Sequence, residues 1–382
     1  MKEKDKKKRK KLLIVSDAFL PRWDGIARFL YEIIPRLSKT YDITILTTDN
    51  GKIQEDLGVK IVQISKLNLR LGDFYPSKID FVTATKLVSK SDVVFVQSLG
   101  PIGGAAILVA NKLRKPILFY SHVIDWKLYP KSINSKILKP ILNTIVKIYA
   151  KYMFNRCNLL LVPSVETMEL FSFMKITAKK QVVHLGVDII NFSPPRDKRK
   201  AKEDIGINPD HLVIGSVGRF GHEKDLPTLQ RAFLRLRSKK KDVTLLIVGD
   251  GREDIKKLFV NKKQILYVGQ KKDPSKYYKA MDIYVLPSLE ETTSLTTLEA
   301  MSCKVAPITT QVGFIKEYLK DGKNGLFFPK RDSYRLYIKI RNLITSPSQR
   351  MHLAENARST VINKFSWEIT TKKIQKAIES LR

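Results

Sequence analysis

The stretch Ile283-Tyr-Val-Leu-Pro-Ser-Leu-Glu-Glu-Thr-Thr-Ser-Leu-Thr-Thr-Leu-Glu-Ala-Met301 contains the unit from which the fold is built. Its first four residues are a short apolar run, which is typical of a buried strand. The proline and serine that follow predict a turn, and residues 293–301 have the spacing of a helix. The stretch therefore predicts a strand that ends in a loop and continues into a helix.

The same stretch favours a ligand with phosphate and hydroxyl groups. The backbone amides of Ser294, Leu295 and Thr296 would lie at a helix N-terminus, which attracts phosphate. Glu291 and Glu299 are separated by seven residues, and ionised carboxylates accept hydrogen bonds from hydroxyls. Acids near a helix start also suit the helix dipole, which would explain Glu291 but not Glu299.

Similar apolar runs alternate with helical patterns along most of the chain. This alternation predicts parallel sheets with helices on both faces, in two doubly wound α/β domains. The strands are predicted at residues 12–15, 43–46, 59–64, 93–96, 117–120 and 159–162 in the first domain, and at 213–217, 245–248, 265–268, 283–286 and 305–309 in the second.

The chain length, the composition and the positions of prolines and charged residues predict the domain organisation. With 382 residues, of which 43% are hydrophobic, two domains are expected. Two prolines and a charge cluster near residue 194 predict a linker. The predicted segments are a basic tail (1–11), a first domain (12–186), a linker (187–200), a second domain (201–365) and a helix crossing back to the first domain (366–382).

The charge and the cysteine content indicate which kind of partner and which cellular compartment to expect. Lys and Arg number 70 against 37 Asp and Glu, a net charge of +33, which favours a polyanionic partner. Two cysteines cannot form a disulfide framework, and no apolar run begins the chain, so a reduced, cytoplasmic protein without a signal peptide is expected. Nucleic-acid binding without catalysis is one alternative, but the chain contains no motif that reads RNA or DNA.

Four residues follow predicted strands, where doubly wound sheets bind ligands. Gly25 opens a helix and would let a phosphate approach the backbone, or it serves the turn alone. Arg219 and Lys224 suit a diphosphate, or they form a solvated basic loop. His122 would contact substrate, or it is structural. Because both domains would present these ends, we expect one cleft between them.

Taken together, these residues resemble glycosyltransferase family 4, whose members are retaining enzymes with the GT-B fold. The motifs that carry the resemblance run along nearly the whole chain and keep the family's order. They are Asp24-Gly25-Ile26-Ala27, Gly186-Val-Asp188 with Phe192-Ser-Pro194, Gly218-Arg219 with Glu223-Lys224, Glu291-x7-Glu299 within Leu298-Glu-Ala-Met301, and Phe365-Ser-Trp367.

The resemblance implies a role for each candidate residue. Arg219 and Lys224 would hold the donor diphosphate and stabilise the leaving group, and Gly25 would contact the phosphates. Glu299 would bind the ribose, and Glu291 the donor sugar. His122 would lie beside the anomeric carbon.

The resemblance also implies the chemistry. The donor would be a UDP- or GDP-type sugar, the anomeric configuration would be retained, and no metal or other cofactor would be needed. Departures from the family pattern affect the donor's identity: Asp24 replaces a glycine, and residues 292–296 read Thr-Thr-Ser-Leu-Thr where Gly-Phe-Gly-Leu-Pro is usual.

A basic amphipathic segment in the first domain points to the acceptor. No acidic residue lies between Asp125 and Glu166, whereas Lys136, Lys139, Lys147 and Lys151 accompany apolar residues at helical spacing. Such helices lie on anionic membranes, although a helix packed in the core with a solvated basic face is the alternative.

We therefore expect a peripheral enzyme on the cytoplasmic face of a membrane that glycosylates a lipid. A soluble glycosyltransferase acting on a polysaccharide or small glycoside is the alternative within enzymes. A phosphorylase-type relative is disfavoured because no pyridoxal motif is present. The sequence does not identify the nucleotide base, the sugar, the acceptor or the oligomeric state.

Overall fold

The structure, a computed structural model, describes residues 9–68, 75–128, 138–291 and 293–381. It divides into two compact units. The first unit contains Met1–His184 with Thr370–Arg382, and the second contains Leu185–Ile369. The chain thus returns to the first unit after leaving it once.

The first unit is built on a parallel sheet, which in the described residues has seven strands in the order β3-β2-β1-β4-β5-β6-β7. The strands are β1 (Lys11–Ser16), β2 (Asp42–Thr48), β3 (Lys60–Ile64), β4 (Val93–Val96), β5 (Ile117–Tyr120), β6 (Leu159–Val162) and β7 (Lys179–Val182). The helices are α1 (Gly25–Leu37), α2 (Phe81–Ser89), α3 (Pro101–Lys112), α4 (Asp125–Leu128), α5 (Leu138–Phe154) and α6 (Val165–Phe173).

The second unit repeats this architecture with six parallel strands among its described residues, in the order β10-β9-β8-β11-β12-β13. They are β8 (Leu212–Val217), β9 (Val243–Val248), β10 (Ile265–Tyr267), β11 (Ile283–Leu286), β12 (Ala306–Thr310) and β13 (Leu326–Phe328). The helices are α7 (Lys198–Glu203), α8 (Leu226–Arg237), α9 (Glu253–Lys256), α10 (Ser275–Ala280), α11 (Leu295–Ser302), α12 (Ile315–Tyr318), α13 (Ser333–Thr345) and α14 (Pro347–Lys364). The last helix, α15 (Trp367–Ser380), begins in the second unit, and from Thr370 onward it belongs to the first.

Strand periodicity explains why helices cover both faces of the second sheet. Along β9, Leu246 and Val248 belong to one buried cluster, and Leu245 and Ile247 belong to another. Alternate side chains point to opposite faces of a sheet, so a continuous apolar run has to be buried on both sides. The prediction of two doubly wound parallel-sheet domains is confirmed.

The segment predicted as a linker, residues 187–200, packs into the second unit. The Val187 amide donates to the Phe365 carbonyl at 2.8 Å, and Phe192 is buried. The Ser302 hydroxyl donates to the Phe192 carbonyl at 2.6 Å. The two units divide between His184 and Leu185, because these contacts fasten the following residues to the second core.

Candidate functional site

The loop between β11 and α11 brings together two of the predicted donor residues. Lys224 Nζ lies 2.5 Å from Glu291 Oε1, and the Ser288 hydroxyl donates to the same oxygen at 2.7 Å. The Lys224 side chain is 20% exposed and that of Glu291 is 8% exposed. The pair is therefore largely shielded from water. In such a shielded site, a charge interaction is stronger than at an open surface.

Two backbone features place Lys224 beside this loop. A short 3-10 helix, His222–Lys224, follows β8 after the segment 218–221. The Leu289 amide donates to the Glu223 carbonyl at 2.7 Å, which joins the segment after β8 to the segment after β11. Because β8 and β11 are neighbouring parallel strands, their carboxyl ends meet at one edge of the sheet.

Arg219 lies in the same segment but is held loosely. Its guanidinium donates to Glu223 Oε1 at 3.0 Å, and its side chain is 78% exposed. An exposed ion pair of this kind contributes little free energy. Arg219 and Lys224 both line a small pocket at the end of β8, together with Gly218. An incoming phosphate could therefore take Arg219 from Glu223 at low cost.

Glu299 is positioned differently from Glu291. It lies on α11 with 1% of its surface exposed, and its Oε2 accepts a hydrogen bond from the Tyr278 hydroxyl at 2.8 Å. Burial, followed by the charge of Glu299, raises the pKa of Tyr278 well above its usual range. The phenol thus remains a donor, and a ribose contact by Glu299 stays a prediction.

Replacing Tyr278 by Phe tests this hydrogen bond. We expect the free energy of unfolding to fall by about 1–3 kcal/mol, because a buried carboxylate oxygen loses its donor. Urea denaturation measures the change. The matched control is Tyr41→Phe, since the Tyr41 hydroxyl is buried with no hydrogen-bond partner among the described residues. Equal midpoint shifts for the two variants would contradict the assignment.

Hydroxyl groups replace the usual glycines and proline at the start of α11. The Ser294 hydroxyl lies 2.8 Å from that of Thr297 and 3.2 Å from that of Thr296. The Tyr284 hydroxyl donates to Thr296 at 2.8 Å. Ser294 also caps the helix by accepting from the Thr297 amide, so α11 begins at Leu295, two residues later than predicted. The helix start is thus fixed by side chains.

In the first unit, the start of α1 is already occupied by a carboxylate. Asp24 Oδ1 accepts from the amides of Ile26 and Ala27, each at 3.0 Å, and Arg22 pairs with the same carboxylate at 3.3 Å. The space beside Gly25 is open, because a Cβ there would meet no atom within 4 Å. A phosphate contact at Gly25 stays a prediction. If the phosphate were also to bind the amides of Ile26 and Ala27, the Asp24 carboxylate would have to release them.

His122 is held by one polar and two aromatic neighbours. Its Nε2 lies 3.0 Å from Gln97 Oε1, so the neutral ring donates to this oxygen and leaves Nδ1 as an acceptor. The rings of Phe29 and Tyr120 lie at centroid distances of 4.7 and 4.5 Å. Although part of the residue reaches solvent, this enclosure lowers the pKa of His122 to about 3. At neutral pH, His122 is therefore an uncharged hydrogen-bonding group.

The shift predicts a pH dependence that His122→Gln should remove. Between about pH 3 and pH 6.5, the unfolded state binds a proton at this position and the folded state does not, so the histidine makes stability rise with pH in this window. Asp125 acts in the opposite direction, because burial raises its pKa to about 7. The free energy of unfolding is measured by urea denaturation across pH 4–7 for the wild type and the variant. As the pH is lowered, the value for the wild type should fall relative to that for the variant. Parallel curves would contradict the assignment.

The sequence analysis did not identify Asp17, the buried acid that follows β1. It accepts from the Ser98 hydroxyl at 2.7 Å and from the amides of Ile102 and Gly103 at 2.9 and 3.2 Å. Burial raises the pKa of Asp17, while these hydrogen bonds act to lower it. Asp17 therefore joins the end of β1 to the start of α3. The signal in the sequence that could have identified Asp17 is its position just after a predicted strand.

Helix α5 exposes a continuous apolar stripe. The α5 stripe consists of residues spaced three and four apart, with exposed fractions of 49–65%: Leu138, Ile141, Ile145, Ile148 and Tyr152. The opposite side packs into the core through Ala150, Met153 and Phe154.

Basic residues accompany the α5 stripe. Lys139, Lys147 and Lys151 lie on the same helix, whereas Lys136 lies outside the described residues. The Arg156 guanidinium lies 3.3 Å from the centroid of the Tyr152 ring. Within the described part of the chain, no helix is both long and apolar enough to cross a bilayer.

Comparison with known proteins agrees with this architecture. Residues 23–190 match the family described as Glycosyltransferase Family 4, and residues 197–360 match Glycosyl transferases group 1. The crystal structure of Anabaena Alr3699/HepE in complex with UDP superposes with a TM-score of 0.78 at 17% identity, and the match covers 97% of this chain and all of the other.

Two relatives of known name are similar over most of this chain. The sulfoquinovosyl transferase SQD2 of Arabidopsis thaliana is 25% identical over 87% of this chain and 66% of its own length. The alpha-monoglucosyldiacylglycerol synthase of Acholeplasma laidlawii is 23% identical over 96% of this chain and 93% of its own length. With both units matched, this chain belongs to glycosyltransferase family 4, a family of GT-B glycosyltransferases.

Proposed function

We propose that this glycosyltransferase moves a hexose, with retention of configuration, from a UDP- or GDP-type sugar to the hydroxyl group of a membrane lipid. The α5 stripe carries the acceptor part of this proposal, because it offers exposed apolar residues and bases on one helix. The enzyme would act as a peripheral protein on the cytoplasmic face of an anionic membrane.

The donor part rests on the loop after β11. Lys224 and Arg219 would neutralise the diphosphate, and the start of α11 would add its backbone amides. Glu291, already held by Ser288 and Lys224, would accept a hydrogen bond from a sugar hydroxyl. Solved complexes of the structural neighbour HepE with UDP and with UDP-glucose support a donor of this class.

In the proposed reaction, the acceptor oxygen attacks the anomeric carbon on the face from which the diphosphate departs. The bond between the anomeric carbon and the diphosphate oxygen breaks, and the acceptor proton passes to the leaving diphosphate. Fixed cations stabilise the negative charge that develops on this group. Arg219 and Lys224 would serve this purpose without a metal ion, and His122 would offer a neutral hydrogen bond beside the sugar.

The acceptor part combines the α5 stripe with the relatives. Apolar side chains on an interfacial helix enter the boundary between headgroups and acyl chains, while bases contact anionic headgroups. Each base near such a surface contributes about 1 kcal/mol at moderate ionic strength. The name of one relative, an alpha-monoglucosyldiacylglycerol synthase, favours a lipid of the diacylglycerol type.

A screen of donors and acceptors tests the proposal. The purified enzyme is incubated with UDP- and GDP-sugars and with vesicles of anionic phospholipid, with or without diacylglycerol or a glycosylated diacylglycerol. We expect a glycolipid product whose anomeric proton coupling, measured by NMR, matches that of the donor. Transfer to an oligosaccharide in the absence of vesicles would favour the soluble alternative, and an inverted product would contradict retention.

A further inference from the structure

A second cavity lies in the second unit, apart from the predicted donor residues. Its volume is about 530 Å³, within the range of small-molecule sites. The turn between α12 and β13 forms one side and α14 forms the other. The cavity is lined by Lys320, Lys323, Asn324, His352, Asn356 and Lys364, among others, and by none of the residues assigned to the donor.

The rim of this cavity has an excess of positive charge. In the part of the chain that the structure describes, the ammonium groups of Lys323 and Lys364 have neither a hydrogen-bond nor an ion-pair partner. Among the described residues, the Lys320 ammonium donates to the Lys316 carbonyl alone, at 3.2 Å. Glu317, the acid on the lining, already has a partner. The available charges therefore favour an anion.

The backbone that carries these lysines is fastened in place. The buried Asn324 accepts from the Lys320 amide at 2.7 Å and donates to the Tyr318 carbonyl at 2.9 Å and to the Thr360 hydroxyl at 3.0 Å. Asn356 donates to the Lys323 carbonyl at 2.9 Å. The turn is thus joined to α14 before any ligand arrives, which lowers the ordering cost of binding.

The floor of the cavity contacts the start of α11. Tyr318 lines the cavity, and its hydroxyl donates to the Ser294 carbonyl at 3.4 Å. Ser294 is the N-cap of α11. Tyr318 therefore connects the turn that carries the lysines to the helix assigned to the donor.

We propose that this cavity binds a small phosphate-bearing anion and that Tyr318 transmits its binding to the donor helix. A ligand that shifts the turn from residue 320 to 324 would also shift Tyr318, because Asn324 donates to the Tyr318 carbonyl and the Tyr318 hydroxyl donates to the Ser294 carbonyl. Such coupling changes donor affinity several-fold, and by linkage the donor changes anion affinity equally. The binding claim is independent of the proposed function, whereas the coupling claim rests on it.

Hydrogen exchange with pyrophosphate as the probe distinguishes this cavity from the donor loop, the segment after β8 that carries Arg219 and Lys224, because the donor loop would also attract this anion. At 0.15 M NaCl, we expect protection of peptides covering residues 318–326 and 352–364, in addition to any protection of residues 218–226. The change Lys323→Gln/Lys364→Gln should weaken the first protection at least about tenfold, as loss of charge-assisted bonds does. The control Lys239→Gln/Lys263→Gln removes the same charge from exposed positions outside the cavity.

The outcomes separate the possibilities. Protection confined to the donor loop, or equal losses in the cavity and control variants, would overturn the site. If anionic phospholipid vesicles protect the cavity peptides and pyrophosphate and glycerol phosphate do not, the phosphate belongs to a lipid headgroup. If none of these ligands protects the peptides, the proposal fails.

The coupling is tested with UDP as the donor probe. Pyrophosphate should change UDP affinity differently in the wild type and in Lys323→Gln/Lys364→Gln, because only competition at the donor residues remains in that variant. Tyr318→Phe should keep cavity protection and abolish this difference. If UDP does not bind at all, the donor assignment fails while the anion site stands. An unaltered difference in Tyr318→Phe would overturn the route through Tyr318.

Discussion

Lys224→Met is expected to lower kcat/KM for the nucleotide-sugar donor by about 10²–10³-fold, the range seen when one fixed donor to a developing oxyanion is removed. Lys224 is the cation that the fold holds most firmly at the donor loop, since Glu291 Oε1 lies 2.5 Å from its ammonium. Its charge faces a region that water reaches poorly, which increases its effect on a leaving diphosphate.

Loss of folding must be separated from loss of catalysis, because the variant leaves the Glu291 carboxylate with less support. The double variant Lys224→Met/Glu291→Gln removes the unpaired charge and should recover stability without recovering activity. Kinetics and urea denaturation are measured on the same samples. Lys241→Met, at an exposed lysine distant in sequence, is the matched control. Activity of Lys224→Met within threefold of the wild type would contradict the assignment.

Ile148→Glu is expected to weaken binding to anionic vesicles by roughly 70- to 900-fold. Ile148 is 65% exposed in the α5 stripe, so most of its apolar surface contributes nothing to folding in solution. Withdrawing an isoleucine from an apolar environment costs about 1.5–3 kcal/mol, and the new negative charge at an anionic surface adds about 1 kcal/mol.

The measurement is vesicle flotation at low and high salt, with vesicles of neutral and of anionic lipid. Ile190→Glu makes the same chemical change at an isoleucine that is 82% exposed in the second unit, and it should leave flotation nearly unchanged. Salt should release the wild type only in part, because screening weakens the lysines but not the apolar contacts. Equal effects of the two substitutions would contradict membrane binding through α5.

Much of the fold could be predicted because buried parallel strands have unbroken apolar runs in the amino-acid sequence. The eleven runs identified in the sequence correspond to strands, with small differences at their ends. The strands β7 and β13 were missed because neither contains an apolar run of typical strand length: β7 reads Lys-Lys-Gln-Val, and β13 has only the three residues Leu-Phe-Phe.

The donor loop was partly predictable for a similar reason. Ligands bind beyond the carboxyl ends of parallel strands, and this rule predicted Lys224 and Glu291 as site residues from distant parts of the chain. The structure places the two side chains in contact. The Tyr278–Glu299 hydrogen bond was not predictable, because it joins two helices whose packing is set by the tertiary structure. The same is true of the Tyr284 and Tyr318 contacts to α11, which depend on where three separate elements meet.

The spacing of the α5 stripe has a kinetic consequence. From Leu138 to Tyr152 the helix extends about 20 Å at 1.5 Å per residue, so all five side chains can rest on one plane at once. An enzyme held in this way searches for its acceptor in two dimensions. Its rate would follow the mole fraction of acceptor within the leaflet rather than the amount of lipid in the suspension, so neutral lipid added to the same bilayer would act as a diluent.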